Sequence, residues 1–240
     1  MKPKLVIWGT SAHAALVVEI IRLRGEYELV GFLDDVNPER HGRQFCQAPI
    51  LGGREQLDRL QQLGVHHLIF GFGNCAERLR LSKLVRNKGY SLAKAVHPQA
   101  VVASGASLGP GTVIRAGAVI DPGVKIKANV IVSASTLVAH GSLLGECTLI
   151  SGGATVGGSV TVGRSTWIGL GAIIKDHVHI GEHCVIGAGA VVLSDIPDGV
   201  VAYGVPAKII RRVDTNDDCV GMKRDYGGIG NGIDRLRRSP

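Results

Sequence analysis

One histidine, His140, stands inside a long run of regularly spaced apolar residues and is the first candidate for chemistry. A neutral imidazole, with an ordinary pKa of about 6.5, can take a proton from a hydroxyl or amine as that group attacks a thioester. The next residue is Gly141, which has no side chain to orient the ring. His140 is therefore a candidate general base without an evident partner, and an ordinary surface histidine is the alternative interpretation.

A second group of side chains that could take part in chemistry, as metal ligands, lies further along the chain. Its metal-capable members are His177, His179, Glu182, His183 and Cys184. Zinc takes such side chains as ligands in a tetrahedral arrangement. In the repeat described below, Cys184 falls at an inward position, whereas His177 and His183 point outward on another face. These side chains are too spread for one tetrahedral site, so we expect no metal.

Three loops in the first hundred residues carry polar residues directly after predicted strands. "GTSAHA" starts at Gly9, Asp34 and Asp35 close the second strand, and "GFGN" ends the third. The carboxyl ends of parallel strands meet at one edge, where backbone N–H groups and a helix N-terminus bind phosphate. The three loops predict a nucleotide crevice, although "GTSAHA" lacks the glycines of a dinucleotide fingerprint. For the two aspartates, capping of a turn is the alternative interpretation.

The element that must position His140 is a six-residue repeat. Every sixth residue from Val102 to Val192 is Val, Ile or Leu, without an exception. One short strand and one turn use six residues, and three such units close a triangular coil of about 18 residues. The pattern predicts a hexapeptide parallel β-helix of about five coils. Its flat faces favour closed three-fold association.

The elements that must form the crevice are strands that alternate with helices. Strands are predicted in "KLVIWG", "ELVGFLDD" and "VHHLIFGFGN", and helices in "AHAALVVEIIRLRG", "GREQLDRLQQLG" and "CAERLRLSKLVRNKG". This alternation predicts βαβ units and a parallel sheet. We expect the α/β domain over residues 1–97, the β-helix over residues 98–213, and a Gly-rich tail of mixed charge over residues 214–240.

Composition narrows the class of protein further. Because the chain has 34 glycines and 4% aromatic residues, its core must use small aliphatic side chains in a tightly turning arrangement. Five widely spaced cysteines without a CxxC pair favour a reducing cytoplasm. We expect neither a signal peptide nor a membrane-spanning helix. The scattered net charge of +7 favours small phosphorylated ligands over nucleic acid or a membrane.

Several segments, taken together and in order, carry a family resemblance. They are "VIWGTSAHA", "GFLDD", "GFGN", "VHPQAVV", the six-residue repeats, "VAHGSLLGECTLISGGATVGGSVTVG" and "YGVPAKIIR". Over residues 4–212 the chain resembles the bacterial sugar acetyltransferases. These are the UDP-4-amino-sugar N-acetyltransferases of the bacillosamine and perosamine pathways and the related sialic-acid O-acetyltransferases. The resemblance implies a Rossmann-like domain for a nucleotide sugar, a left-handed β-helix for acetyl-CoA, and a homotrimer with active sites between subunits.

The resemblance also implies roles for individual residues. His140 matches the general base. The nucleotide-sugar site is expected at Ser11, Ala12, His13, Asp34, Asp35 and Gly73. Acetyl-CoA contacts are expected at Leu149, Gly158, Leu170 and Ala188. Lys208 is our additional candidate for a phosphate of coenzyme A.

Two residues near the base depart from the family pattern. The family usually has Glu or Asp after the histidine, where this chain has Gly141, and a histidine nine residues after the base is Leu149 here. Either the group that orients His140 lies elsewhere, such as at Asp121 or in a neighbouring subunit, or the reaction is slower, or the acceptor is a hydroxyl or a different amine that needs another environment.

The sequence predicts an acetyl-CoA-dependent acetyltransferase that acts by direct transfer on an amino or hydroxyl group of a sugar, either nucleotide-linked or free. Its place would be in the biosynthesis of cell-surface or secondary-metabolite glycans. A non-catalytic nucleotide-sugar-binding or scaffold protein on the same fold is the second hypothesis. A metal-dependent β-helix hydratase, which would contain stoichiometric zinc, is the third.

Overall fold

A parallel sheet with flanking helices forms the first part of the chain. The computed structural model describes residues 2–213, and the tail predicted for residues 214–240 lies outside the described residues. The helices are α1 (Ala12–Arg24), α2 (Leu57–Gln62) and α3 (Cys75–Asn87), with short 3-10 turns at Pro38–Arg40 and Arg54–Gln56. The strands are β1 (Lys4–Trp8), β2 (Glu28–Leu33), β3 (Gln44–Phe45), β4 (Ala48–Gly52), β5 (Val65–Phe70) and β6 (Ser91–Leu92).

The strand order of this sheet is β3-β4-β2-β1-β5-β6, with β1 parallel to both β2 and β5. The predicted α/β fold is therefore confirmed. The β3–β4 hairpin at the edge was not predicted. Its two turn residues, Cys46 and Gln47, have positive φ angles of 45° and 60°. Because such turns usually carry Gly or Asn, the sequence gives no hairpin signal there.

Helix α1 is held at both ends by the residues that the sequence places there. The Ser11 side chain accepts a hydrogen bond from the His13 N–H at 3.1 Å, and Gly25 ends the helix with a φ of 63°. A serine before the first turn and a left-handed glycine after the last turn are preferred helix caps. The buried face of α1 packs on the sheet through Val17, Ile20 and neighbouring residues. The first turn of α1 is thereby fixed beside the loop that follows β1.

Two-residue strands, one in each six-residue unit, form a left-handed parallel β-helix with three faces. The first face contains Ala95–Val96, Val113–Ile114, Ile131–Val132, Leu149–Ile150, Trp167–Ile168 and Val185–Ile186. The second face contains Val101–Val102, Val119–Ile120, Leu137–Val138, Thr155–Val156, Ile173–Ile174 and Val191–Val192. The third face contains Ser107–Leu108, Lys125–Ile126, Leu143–Leu144, Thr161–Val162 and His179–Ile180.

The inward column of Val, Ile and Leu forms the core of the β-helix, as the period predicts. From Ile114 to Val192 these side chains are buried, whereas Val102 and Leu108 near the first coil are partly buried. An antiparallel hairpin of Val200–Gly204 and Ala207–Arg212 continues the first face after its last two-residue strand. This terminal hairpin was not predicted.

The outer side of the first face packs against the N-terminal sheet. Val113 and Ile131 are buried in the same apolar cluster as Val17 of α1. The change from one sheet to the next falls between Leu92 and Ala95. The domain bounds given above stay a prediction. Because the two parts share a core cluster, the orientation of α1 relative to the β-helix is fixed.

Two columns of turn residues matter for the site. The first corner, between the first and second faces, contains Ala134, Gly152, Leu170 and Ala188. The second corner, between the second and third faces, contains Pro122, His140, Gly158 and Asp176.

Within residues 2–213, the helices do not reach the length and hydrophobicity that crossing a membrane requires.

Candidate functional site

The loops after β1, β2 and β5 meet at one edge of the sheet. The Thr10 hydroxyl, after β1, donates a hydrogen bond to Asp34, after β2. The Ser11 hydroxyl donates to the carbonyl of Gly71, after β5, at 2.7 Å. Gly9 has a φ of 110°, and a Cβ there would lie 2.9 Å from the Phe72 ring. The structure therefore brings together the three loops of the predicted crevice.

Asp34 is buried in this crevice and holds the loop after β2. Besides Thr10, it accepts the N–H groups of Val36 and Asn37, each at 3.0 Å. Burial alone would raise the pKa of this carboxyl, but the hydrogen bonds from Thr10, Asn37 and Val36 together hold its pKa below the ordinary value. Arg40 donates to the Thr10 hydroxyl at 2.7 Å. The contact of Asp34 with a nucleotide sugar stays a prediction.

The other predicted residues of the nucleotide site lie around the same crevice. Asp35 accepts hydrogen bonds from the backbone N–H and the Nε of Arg54, at 2.7 and 3.1 Å. Ser11 and Ala12 are exposed at the start of α1, and Gly73 is partly exposed in the loop after β5. All four residues lie in loops or a helix start at the carboxyl edge of the sheet, and their roles as ligands remain predictions.

Two arginines, of which Arg78 is buried, lie near His13 in the first turn of α1. The Nε2 atom of His13 is buried without a hydrogen-bond partner among the described residues, and so is Nη2 of Arg78, a side chain that is 3% exposed. Burial, together with the nearby charges of Arg78 and Arg115, lowers the pKa of His13 to about 3. His13 is therefore neutral in the folded protein, beside two permanent cations.

We expect this neutral histidine to make the protein less stable in mild acid. Because the pKa of His13 falls from 6.5 to about 3 on folding, the unfolded chain binds the extra proton below pH 6.5. The free energy of unfolding then falls as the pH falls from about 6.5 towards 3, by up to about 1.4 kcal/mol per pH unit. Urea unfolding at pH 7 and pH 5 should show a larger loss for the wild type than for His13→Gln. Equal losses in the two proteins would contradict this origin.

His140 lies at the second corner with an exposed side chain. Its carbonyl accepts the Ser159 N–H at 2.8 Å, which fixes its backbone to the next coil. Its imidazole has no hydrogen bond or ion pair within residues 2–213, so Asp121 does not orient it in this structure. Gly141 has a φ of 69°, a conformation that is unfavourable for a side chain.

The imidazole of His140 occupies the space above Gly158 in the next coil. A Cβ built on Gly158 would lie 2.8 Å from both Cε1 and Nε2 of the ring. On its other side, the N–H of Gly158 donates to Oδ1 of Asp176 at 2.7 Å. Gly158 is thus enclosed between a histidine and a carboxylate, and its lack of a side chain makes room for the ring.

The residues expected to contact acetyl-CoA fall in four places. Gly158 adjoins His140 at the second corner. Leu170, which is 62% exposed, and Ala188 lie at the first corner, and Lys208 is exposed on the terminal hairpin. Leu149 lies on the first face and packs against the N-terminal core cluster. The contacts of these residues with acetyl-CoA remain predictions.

The alternative of a metal site has no matching cluster of side chains in the described part of the chain. Residues 2–213 contain no group of three His, Cys, Asp or Glu side chains that could hold a metal ion. Cys184 is buried in the core, and its burial raises the pKa of the thiol, whereas His177 and His183 are exposed at corner positions. Cys184 is separated from His177 and His183 because the six-residue repeat places Cys184 at an inward position.

An open groove on the third face carries none of the predicted site residues. Charged side chains line it, including Lys127 and the ion pair of Arg164 with Glu182 at 2.7 Å. Neither His140 nor a residue of the predicted crevice lines it, so we assign it no role in the site.

Sequence reasoning missed three residues that shape the site. Arg78 and Arg115 lie near His13, and Asp176 accepts the hydrogen bond from the Gly158 N–H. Arg78 offers a sequence signal, because it stands three residues from both Cys75 and Leu81, on the buried face of α3. Arg115 and Asp176 give none, because their contacts form only when coils and domains stack.

Comparisons with known proteins agree with this architecture. The sequence matches the PglD N-terminal domain over residues 4–85 and the bacterial transferase hexapeptide, six repeats, over residues 159–194. No curated protein matches the chain in sequence.

Solved structures extend the comparison to nearly the whole described chain. The acetyltransferase domain of PglB from Neisseria gonorrhoeae is 32% identical, with a TM-score of 0.81, over 87% of this chain and 100% of that one. PerB from Caulobacter crescentus, in complex with CoA and GDP-perosamine, is 32% identical with a TM-score of 0.73, over 86% and 97%. WeeI from Acinetobacter baumannii, 20% identical over 86% and 99% with a TM-score of 0.63, shares the fold.

Proposed function

The chain belongs to the bacterial hexapeptide-repeat sugar acetyltransferases with a PglD-type N-terminal domain, and we propose that it transfers an acetyl group from acetyl-CoA to the amino group of a nucleotide-linked sugar. The main support for the proposal is that one fold contains both the predicted phosphate-binding crevice and an exposed His140. The acceptor nitrogen would bond to the acetyl carbon while the carbon–sulfur bond breaks. His140 would take the proton from nitrogen and return it to the departing sulfur.

The two arginines near His13 support a diphosphate as part of the substrate. An unpaired guanidinium in a buried position is costly, and an anion that reaches it recovers much of that cost. Arg78 has this property, and Arg115 adds a second positive charge near His13. The N-terminus of α1 contributes N–H groups at the same place. We infer that the diphosphate of the nucleotide-linked sugar, the acetyl acceptor, lies between α1 and these arginines.

Acetyl-CoA as the acetyl source is supported by the relatives. A second structure of the PglB domain, 32% identical with a TM-score of 0.81, contains acetyl coenzyme A. PerB contains CoA together with a nucleotide sugar. We propose that Leu170 and Ala188 contact the pantetheine arm and that Lys208 binds a phosphate of coenzyme A.

The placement of these groups supports a site between protomers of a homotrimer. His13 is close to Arg115, next to the first corner, and Leu170 also lies at the first corner, whereas His140 lies at the second corner. The second face separates these two corners in one protomer. The outward side chains of that face include Val101 and Ile173, 62% and 49% exposed. We propose that a second copy covers this apolar face and brings its His140 to the crevice.

A mixture of two inactive variants tests the shared site. Ala12→Trp places a large ring at the crevice mouth, and His140→Ala removes the base. Co-expressed in equal amounts, they would regain about a quarter of wild-type turnover, because a quarter of the interfaces would combine an intact crevice with an intact His140. Each variant alone, assayed in parallel, should be inactive. A mixture that is as inactive as its components would place the whole site in one protomer.

The proposed reaction is tested by CoA release across a panel of acceptors. UDP- and GDP-linked 4-amino sugars, their 4-hydroxy counterparts and the free amino sugars would each be incubated with acetyl-CoA and a thiol reagent. We expect turnover with a nucleotide-linked amino sugar and little with free sugars. Tight binding of a nucleotide sugar without CoA release from any acceptor would instead favour a non-catalytic binding protein.

A further inference from the structure

The chain lacks the acidic residue that would normally follow its base, yet a carboxylate lies one coil beyond Gly158. Asp176 stands in the same corner column as His140, two coils along. Its carboxylate accepts a hydrogen bond from the N–H of Gly158, the residue over which the imidazole lies. Within residues 2–213 the ring itself donates to no acceptor. We propose that Asp176 is a positioning residue, which holds Gly158 in place and so fixes the His140 ring. This inference rests on the proposed function of His140.

The backbone at this corner needs such support because two glycines follow each other. Gly157 and Gly158 have no side chains, so this part of the corner has more conformational freedom than one with substituted residues. The N–H of Gly158 donates to Asp176, and its carbonyl accepts the His177 N–H at 2.9 Å. The coil above thus holds both polar groups of the glycine, and one of those two bonds comes from a side chain.

The position of the glycine determines where the imidazole can rest. Gly158 is buried, because the ring of His140 covers one side of it and the carboxylate of Asp176 approaches it from the other. The ring lies where a Gly158 side chain would be, with Cε1 and Nε2 both 2.8 Å from that point. A shift of the glycine would therefore shift the ring. A displacement of about 1 Å at a catalytic group can cost about a hundredfold in rate.

Asp198 provides a matched control on another corner of the β-helix. Its Oδ1 accepts the Glu182 N–H at 2.7 Å, the same length as the Asp176 bond, and both aspartates are exposed. Replacing either residue by Ala removes one backbone cap and destabilises the coil by a similar amount, about 1 kcal/mol. Of these two aspartates, only Asp176 contacts the turn at Gly158, over which the His140 ring lies. A purely structural role predicts equal effects of the two substitutions.

The experiment measures kcat and KM for acetyl-CoA in four variants beside the wild type. We expect Asp176→Ala to lower kcat about tenfold with little change in KM, and Asp176→Asn, which keeps an acceptor oxygen, to restore most of kcat. Gly158→Ala, whose Cβ displaces the ring, should lower kcat further, to about a hundredth. Asp198→Ala should keep kcat within about twofold.

The outcomes separate this inference from the function on which it rests. A wild-type rate in Asp176→Ala, or an equal loss in Asp198→Ala, would overturn the positioning role while leaving His140 as the base. If Asp176→Asn were as slow as Asp176→Ala, the hydrogen bond to Gly158 would not be the cause, and the inference would also be wrong. A wild-type protein without turnover, or a His140→Ala variant with full turnover, would overturn the proposed function itself.

Discussion

Replacing His140 by Ala is expected to lower kcat for acetyl transfer about a thousandfold, within the range that a positioned general base contributes. The reason is that an amine which attacks a thioester must lose a proton, and His140 is the only residue to which we assign that step. KM for acetyl-CoA should stay within about threefold, because Leu170, Ala188 and Lys208, which we propose to hold acetyl-CoA, are unchanged. CoA release under saturating substrate measures the effect.

The substitution of His140 should leave the fold intact, so a change in kcat can be attributed to the loss of the imidazole. The side chain is exposed and forms no hydrogen bond within residues 2–213, so its removal costs little stability. His179→Ala, another exposed histidine on the third face, is the control and should keep kcat within about twofold. Full turnover in His140→Ala would remove the residue from the mechanism.

The second large effect concerns stability and falls on Gly163. A Cβ at this position would lie 2.5 Å from the backbone N of Glu182 and 2.5 Å from the backbone C of Gly181, in the adjacent coil. The two coils are joined there by a hydrogen bond from Gly163 N to Ile180 O at 2.8 Å, so neither backbone can move away freely. Overpacking of this kind costs about 3 kcal/mol. Gly163→Ala should lower the thermal unfolding midpoint by about 5 to 10 °C.

Gly105 is the matched control for this substitution. A Cβ there has its nearest neighbouring atom at 3.7 Å, an ordinary contact, and the residue is exposed. Gly105→Ala should change the midpoint by no more than about 2 °C. Similar midpoints for the two variants would show that the adjacent coil can yield at Gly163, contrary to the packing described here.

The fold could be predicted from the sequence because its signals are local and repeated. An inward aliphatic residue recurs every six positions. Each six-residue interval specifies one short strand, one turn and the side chain that points inward. Likewise, Ser11 and Gly25 mark the ends of α1 by themselves. The β3–β4 hairpin escaped prediction because Cys46 and Gln47 take left-handed conformations without the usual turn residues.

The site could be predicted only in part, because its contacts are long-range. The convergence of the loops after β1, β2 and β5 follows from parallel-strand topology. By contrast, the enclosure of His13 beside Arg78 depends on how the N-terminal sheet packs on the first face. The contact of His140 with Gly158 and the bond from Gly158 to Asp176 arise from the stacking of coils. A period locates these residues in one column, but it does not reveal which of them touch.

We propose that His140 of one protomer acts on a nucleotide sugar held in the crevice of the next. A crystal structure with coenzyme A and a UDP- or GDP-linked 4-amino sugar tests it most directly. We predict that a ring nitrogen of His140 lies about 2.6 to 3.2 Å from the amino nitrogen of the sugar, across a subunit interface. An amino sugar bound in the crevice with every His140 ring far from its nitrogen would contradict the account.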